Sequence, residues 1–386
     1  MKIITRNIWL LSIVSLFTDV ASEMLYPVMP IYLKTIGFSI LLIGVLEGFA
    51  EATAGLSKGY FGNLSDNTGK RLPFVQIGYA LSAISKPMMA LFIYPMWVFL
   101  ARSIDRLGKG VRTGARDALL SDEATPETKG RVFGFHRSMD TLGAVLGPLC
   151  ALIYLAYRPD DYKTLFYIAF FPGIIAIGFT LFIKEKQKIQ IEQKPKTRLL
   201  DFIKYWKESP PIYRKLVGGL LVFTLFNSSD VFLLLKIKEA GFNDTTVIGV
   251  YIFYNLIYAL FSYPLGVLAD KIGMKKIFIL GLILFAIVYL GMAYAESKIV
   301  FIALFFLYGI YAAATEGIAK AWITNICEKK NTATSIGTYT AFQSIATLVA
   351  SSLAGLIWFS FGAAATFLMT GIVAIGVSIY VSRIKN

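Results

Sequence analysis

The chain has 386 residues, 56% of them hydrophobic and 16% charged, with a mean hydropathy of +0.64, against roughly 45–50% apolar and 25% charged in a soluble domain. That excludes an ordinary soluble enzyme, and one His with two Cys, Cys150 and Cys327, excludes a Cys/His metal cage and a disulfide framework. The net charge of +14 would suggest nucleic acid in a soluble chain, but here Lys and Arg stand in short connectors beside apolar runs, where they orient spans in a bilayer.

Apolar stretches predict spans at 8–33, 40–61, 73–93, 97–119, 131–156 and 163–184, then 213–235, 245–269, 275–295, 299–323, 333–358 and 363–382. Unpaired backbone is too costly in lipid, so each span is a helix. The fold class is an all-α membrane protein with twelve transmembrane helices. The one long polar stretch carries Lys186, Lys188, Lys194, Lys196, Arg198, Lys204 and Lys207. It divides the chain into an N-terminal six-helix bundle (1–184), a central loop (185–211) and a C-terminal six-helix bundle (212–386). Basic residues mark every second connector and both ends, which places both termini and the central loop in the cytoplasm. Lys2 and Arg6 precede an apolar run longer than a signal-peptide core, with no small-residue cleavage site, so the first helix is expected to be retained.

An internal repeat follows from the connectors. Gly62-Asn-Leu-Ser-Asp66-Asn-Thr-Gly69-Lys70-Arg71 closes the second span and Gly266-Val-Leu-Ala-Asp270-Lys-Ile-Gly273 the eighth, with their first glycines 204 residues apart. Gly37 and Gly241 keep the same offset, as duplicated halves require. A nucleotide-binding loop is excluded, because Gly62 stands seven residues before Gly69 and no Ser or Thr follows Lys70.

This repeated motif resembles motif A of the major facilitator superfamily, and the resemblance covers essentially the whole chain. Leu100-Ala-Arg102-Ser-Ile-Asp105-Arg106-Leu-Gly108 resembles that superfamily's fourth-helix Arg motif, and Gly143-Ala-Val-Leu-Gly147-Pro148 the fifth-helix motif of drug/proton antiporters. The resemblance implies two pseudo-symmetric bundles and transport by alternating access. It gives Gly62, Asp66, Gly69, Lys70, Arg71, Gly266 and Asp270 a cytoplasmic gating role. Physically, the glycines permit close helix approach and the aspartates accept from free N–H groups at a helix start.

Charges inside the spans are the other signal. Each would cost about 2.5–3.5 kcal/mol facing lipid, so Asp19, Glu23, Glu47, Glu51 and Lys58 must face protein or water. Asp19, Glu23 and Tyr26 share a helix face, as do Glu47, Glu51 and Lys58. In the fourth span Arg102, Asp105, Arg106, Lys109, Arg112 and Arg116 also fall on one face. Arg102 and Arg106 are expected in a central cavity. For Arg112 and Arg116 two readings stay open: gate residues beside motif A, or cations snorkelling to the interface. Lys86 is a counter-ion for Glu47 or Glu51, or a solute contact. His136, among Arg131, Arg137 and Asp140, reads as structural. Asp230, with Phe223, Phe226, Phe232 and Tyr254, is the candidate solute wall of the second half.

The expectation is a secondary transporter for a small, amphipathic organic solute, proton-coupled through Asp19, Glu23, Glu47 or Glu51 and exporting. Its partners are that solute and the lipid bilayer, not nucleic acid. It needs no cofactor beyond the proton and is expected as a monomer in a bacterial inner membrane. Alternatives are an uptake symporter, an exporter of metal ions held by carboxylate oxygens alone, or a membrane sensor that transports nothing. No HExxH or GxSxG pattern supports an enzyme.

Overall fold

The computed structural model describes residues 3–26, 28–185, 200–227, 230–242 and 244–384, without the side chains of 30, 31, 40, 41, 44, 47, 231, 244 and 245. Among the described residues every regular element is helical. In chain order these are α1 (Arg6–Leu25), α2 (Met29–Thr35), α3 (Ile40–Thr68), α4 (Leu72–Leu91), α5 (Pro95–Asp122), α6 (Lys129–Tyr157) and α7 (Tyr162–Thr180). Then come α8 (Asp201–Glu208), α9 (Pro211–Phe226), α10 (Asp230–Glu239), α11 (Asp244–Ile272), α12 (Met274–Met292), α13 (Lys298–Ile326) and α14 (Thr332–Ser382). The α14 run is two arms parted at Gly362, whose φ of +83° no helix holds. Counting α1 with α2 and α9 with α10 as one span each, leaving α8 aside and splitting α14, the described helices make twelve spans.

Two spans are not the uninterrupted helices that hydropathy predicts. The first, 8–33, is broken after Leu25, where the sequence carries a proline at 27 that has no N–H to give. The seventh, 213–235, is broken after Phe226, and Asn227 turns extended there (φ −82°, ψ 99°). Hydropathy averages over such breaks because the flanking residues stay apolar. The two breaks lie close to one repeat length apart, since Leu25 plus 204 is position 229. The repeat is also visible in the backbone: Gly37 and Gly241 hold φ of +91° and +86°, a conformation in which a side chain would be strained.

The stretch read as a loop contains α8. Its Phe202 and Tyr205, three residues apart, are buried, while Lys204 and Glu208 pair on the exposed side at 3.3 Å. The Phe202 ring lies where a side chain at Gly59 would stand and packs edge-on to Phe342 at 5.8 Å. The basic residues from Lys186 to Arg198 lie outside the described residues.

By contact the chain forms two compact units. One comprises Met1–Ala124, Met139–Glu208 and Glu328–Ser344, and the other Thr125–Ser138, Ser209–Cys327 and Ile345–Asn386. In the first, α5 packs on α3 and α4, and α7 on α1 and α4; in the second, α13 packs on α11 and α12. One apolar cluster of the first unit gathers Met24, Tyr32, Leu33, Leu46 and Phe166 from both sides of the α1–α2 break.

Candidate functional site

The charged face of α5 meets α1 and α4 inside the first unit and encloses a cavity of about 50 Å³. Asp19, Ser22, Glu23 and Tyr26 of α1 line it together with Ser82, Ser85 and Lys86 of α4 and Arg102, Asp105, Arg106, Lys109 and Arg112 of α5. Leu25, Met29 and Met89 close its apolar end. The i, i+3, i+4 spacing along α5 puts these charges on one stripe, and the break after α1 brings Tyr26 and Met29 to the same wall.

Within that cavity the ions are already partly committed. Lys86 Nζ donates to Asp105 Oδ1 at 2.6 Å, so the carboxylate of α5 and not Glu51 is its counter-ion. Arg102 reaches the other oxygen of Asp105 at 3.5 Å, and Ser85 donates to Oδ1 at 3.3 Å. Arg112 donates to Ser82 Oγ at 2.6 Å and stacks over the Tyr79 ring, 4.6 Å from its centroid. Arg116, one turn beyond, pairs with Asp117 at 2.9 Å and donates to Ser15 Oγ at 3.1 Å. Both arginines are buried and turn into the first unit; neither is an interfacial snorkel.

The fifth-helix glycines explain how α6 reaches this wall. A Cβ at Gly143 would stand 2.5 Å from the Leu16 carbonyl and 2.9 Å from Asp19 Cβ; one at Gly147 would meet Val20 O and Met24 N at 2.7 Å. Bare backbone lets α6 lie directly against α1, while Pro148 continues within the helix. The close crossing sets the Asp140 carboxyl beside that of Asp19. Sequence reasoning noticed Asp140 only as a neighbour of His136. The cost of a carboxylate in an apolar span, applied there as it was to Asp19, would have singled it out.

Glu51 and Lys58 on α3 do not line this cavity. Lys58 donates to Ser344 Oγ at 3.1 Å. The Glu47 side chain lies outside the described residues. In the second unit Asp230, the first residue of α10, accepts from Tyr308 Oη at 2.6 Å. Tyr254 stacks on Tyr308 with centroids 5.0 Å apart, and Phe223 meets Phe285 at 4.8 Å. Phe232 turns to Trp358 at 5.6 Å, and Phe226 is half-buried at the end of α9. Tyr289 of α12 and Tyr308 and Tyr311 of α13 converge on Asn227 and Asp230 at the α9–α10 break, and no sequence motif announces a convergence drawn from three separate elements.

The two copies of the repeated connector do the same job in each unit. Asp66 Oδ2 accepts from the Thr334 N–H at 2.7 Å and its hydroxyl at 2.9 Å, at the start of α14. Asp270 accepts from the N–H groups of Gly130 at 2.7 Å and Arg131 at 2.9 Å, at the start of α6. A carboxylate there satisfies donors that have no partner inside the helix. Gly62 and Gly266 permit the approach: a Cβ at Gly62 would meet Ala333 O at 2.5 Å, and one at Gly266 would collide with the Gly130 carbonyl. The donor segments are themselves close to one repeat apart, since Gly134 and Gly337 lie 203 residues apart and face Gly266 and Gly62. Asp66 pairs with Arg71 at 3.3 Å, and Arg71 also bonds Asp122. Gly69 ends α3 with φ +67° and Lys70 is exposed. The expected pairing of Arg112 or Arg116 with motif A is replaced by Arg71, because both α5 arginines point toward α1 and α4.

A family model described as Major Facilitator Superfamily matches residues 11–253 and 231–384. An uncharacterized MFS-type transporter of Methanocaldococcus jannaschii is 33% identical over 378 residues, covering 96% of this chain and 93% of its own. The multidrug resistance protein MdtG of Serratia proteamaculans is 22% identical over 389 residues, covering 97% and 92%. Among solved structures, the human organic anion transporter MFSD10 superposes with a TM-score of 0.80 at 15% identity, over 97% of this chain and 99% of that one.

Proposed function

The chain belongs to the major facilitator superfamily, a family of membrane transporters and not of enzymes, and from that premise we propose that it is a proton-coupled exporter of a small amphipathic organic solute. The observation that carries the coupling is that Asp19 and Glu23, one turn apart on α1, line a charged cavity with the Asp140 carboxyl beside Asp19. Neighbouring carboxyls repel when both are charged, so such a group can take up a proton when the helices close and release it when they separate. The helix breaks after Leu25 and Phe226 support a solute path at matching places in the two halves, because interrupted helices mark transporter binding sites. The multidrug resistance proteins among the relatives favour export.

In this reading two six-helix halves, 1–184 and 212–386, alternate about the solute in a cytoplasmic membrane, with both termini and the 185–211 segment inside and one chain as the working unit. The Asp66 and Asp270 caps fasten the cytoplasmic ends of helices in one state and release in the other. The test uses purified protein in vesicles containing a pH-sensitive dye. They are offered three solutes with one aromatic body: 2-naphthyl phosphate, 2-naphthyl glucoside and (2-naphthylmethyl)trimethylammonium. Proton movement should accompany flux of at least one, and Asp19→Asn or Asp140→Asn should abolish pH-driven accumulation while counterflow exchange persists. Solute flux with no proton movement in the wild type would overturn the coupling.

A further inference from the structure

The α9–α10 break carries a carboxylate that no basic side chain neutralises. Asp230 accepts from Tyr308 Oη at 2.6 Å, which occupies one of its two oxygens, and among the described residues no Lys, Arg or His pairs with it. A carboxylate drawn partly out of water is costly until a positive group meets it. The groups around it are aromatic. The Tyr308 ring packs on Tyr254 and Tyr311, with centroids 5.0 Å and 5.2 Å apart, and the charge of Asp230 acts on all three phenols. Tyr254 is 7% exposed, yet its hydroxyl bonds no described residue, a condition that calls for a partner from outside those side chains. Asn227 and Asp230 are only partly buried, which leaves them within reach of a solute.

The next ring of the row shows what such a pair of groups holds. Tyr258, 6.1 Å from Tyr254 between ring centroids, has the Arg137 guanidinium over its face at 5.5 Å, and Glu316 pairs with that guanidinium. Tyrosine and carboxylate together hold a cation there. Asp230 with Tyr254 and Tyr308 repeats the two groups, and we infer that it binds the ammonium head of an amphipathic solute. This rests on the transporter reading above and adds the substrate class. A protonated amine offers N–H groups to the second oxygen of Asp230 and to the Tyr254 hydroxyl, while the rings attract its charge. Charge decides among the ligands that hydroxyls and rings would suit. A sugar would leave the carboxylate uncompensated, and a carboxylate or phosphate head would be repelled by it. Glu316 acts on Asp230 as well, but its own charge is met by Arg137.

The experiment measures equilibrium binding of 2-naphthylmethylammonium, (2-naphthylmethyl)trimethylammonium, 2-naphthyl glucoside and 2-naphthyl phosphate to the protein in nanodiscs of phosphatidylcholine. Both cations should bind at least about tenfold more tightly than the glucoside or the phosphate. Asp230→Asn keeps an acceptor for the Tyr308 hydroxyl and removes the charge, so it should weaken both cations by about tenfold or more and leave the glucoside unchanged. Tyr254→Phe should weaken 2-naphthylmethylammonium by about threefold and spare the trimethylammonium, which has no N–H to donate. Tyr254→Leu, which removes the ring, should weaken both by about fivefold. Thermal unfolding of each variant identifies any that fail to fold. Glucoside or phosphate binding as tight as that of the cations overturns the inference. So does full cation affinity in folded Asp230→Asn or, should that variant not fold, in Tyr254→Leu. In vesicles, cation flux without proton movement would remove the coupling and leave the cation site standing. Proton-linked flux of the phosphate alone would keep the coupling and overturn the site.

Discussion

Asp19 of α1 and Asp140 of α6, 121 residues apart in the chain, stand beside each other where the two helices cross on bare glycine backbone. The crossing therefore sets the separation of the two carboxyls. Gly143→Ala places a methyl group 2.5 Å from the Leu16 carbonyl and so must part the helices without altering a charge. Proton movement in vesicles should fall by about tenfold or more, because the coupled titration of two carboxyls fades as they are moved apart. Undiminished coupling in a folded Gly143→Ala protein would show that the pair does not depend on the crossing.

The two motif aspartates should respond unequally to neutralisation. Asp66 compensates Arg71, which is 3% exposed, whereas Asp270 faces Arg131, whose side chain is 24% exposed and partly solvated. Asp66→Asn should cost about 3 kcal/mol, the low end for breaking a buried pair, because Arg71 keeps Asp122. Asp270→Asn should cost about 1.5–2 kcal/mol, the worth of hydrogen bonds to a charged acceptor. Comparing the thermal unfolding of the two variants in detergent decides this; equal losses would mean that Arg71 adds nothing to the latch.

Lys86 and Asp105 test whether a charge inside a span serves folding or solute. Lys86→Met leaves Asp105, 14% exposed at its side chain, with Arg102 as its cation at 3.5 Å. That should destabilise by about 3–5 kcal/mol, as does removal of one member of a buried pair. The double change Lys86→Met with Asp105→Leu should recover part of that loss in the same unfolding measurement, because both members of the pair are then gone and only the 3.5 Å contact of Arg102 is lost with them. A double variant no more stable than the single would show that Lys86 is held by something other than Asp105.

What the sequence determined by itself is the class of molecule: the all-helical membrane fold, the duplicated halves, and the faces of α1 and α5 that carry charge. These are local properties. Hydropathy over about twenty residues fixes a span, helical periodicity fixes a face, and a motif repeated 204 residues on fixes the duplication. Tertiary structure alone decided who pairs with whom. Lys86 meets Asp105 and not Glu51, Asp66 meets Arg71 and Thr334 and not Arg112 or Arg116, and Asp140 becomes the neighbour of Asp19. The physical reason is that an ion pair depends on the angle and depth at which helices cross. Single glycines such as Gly143 and Gly62 set that crossing by letting backbones approach to a distance that composition and periodicity do not encode.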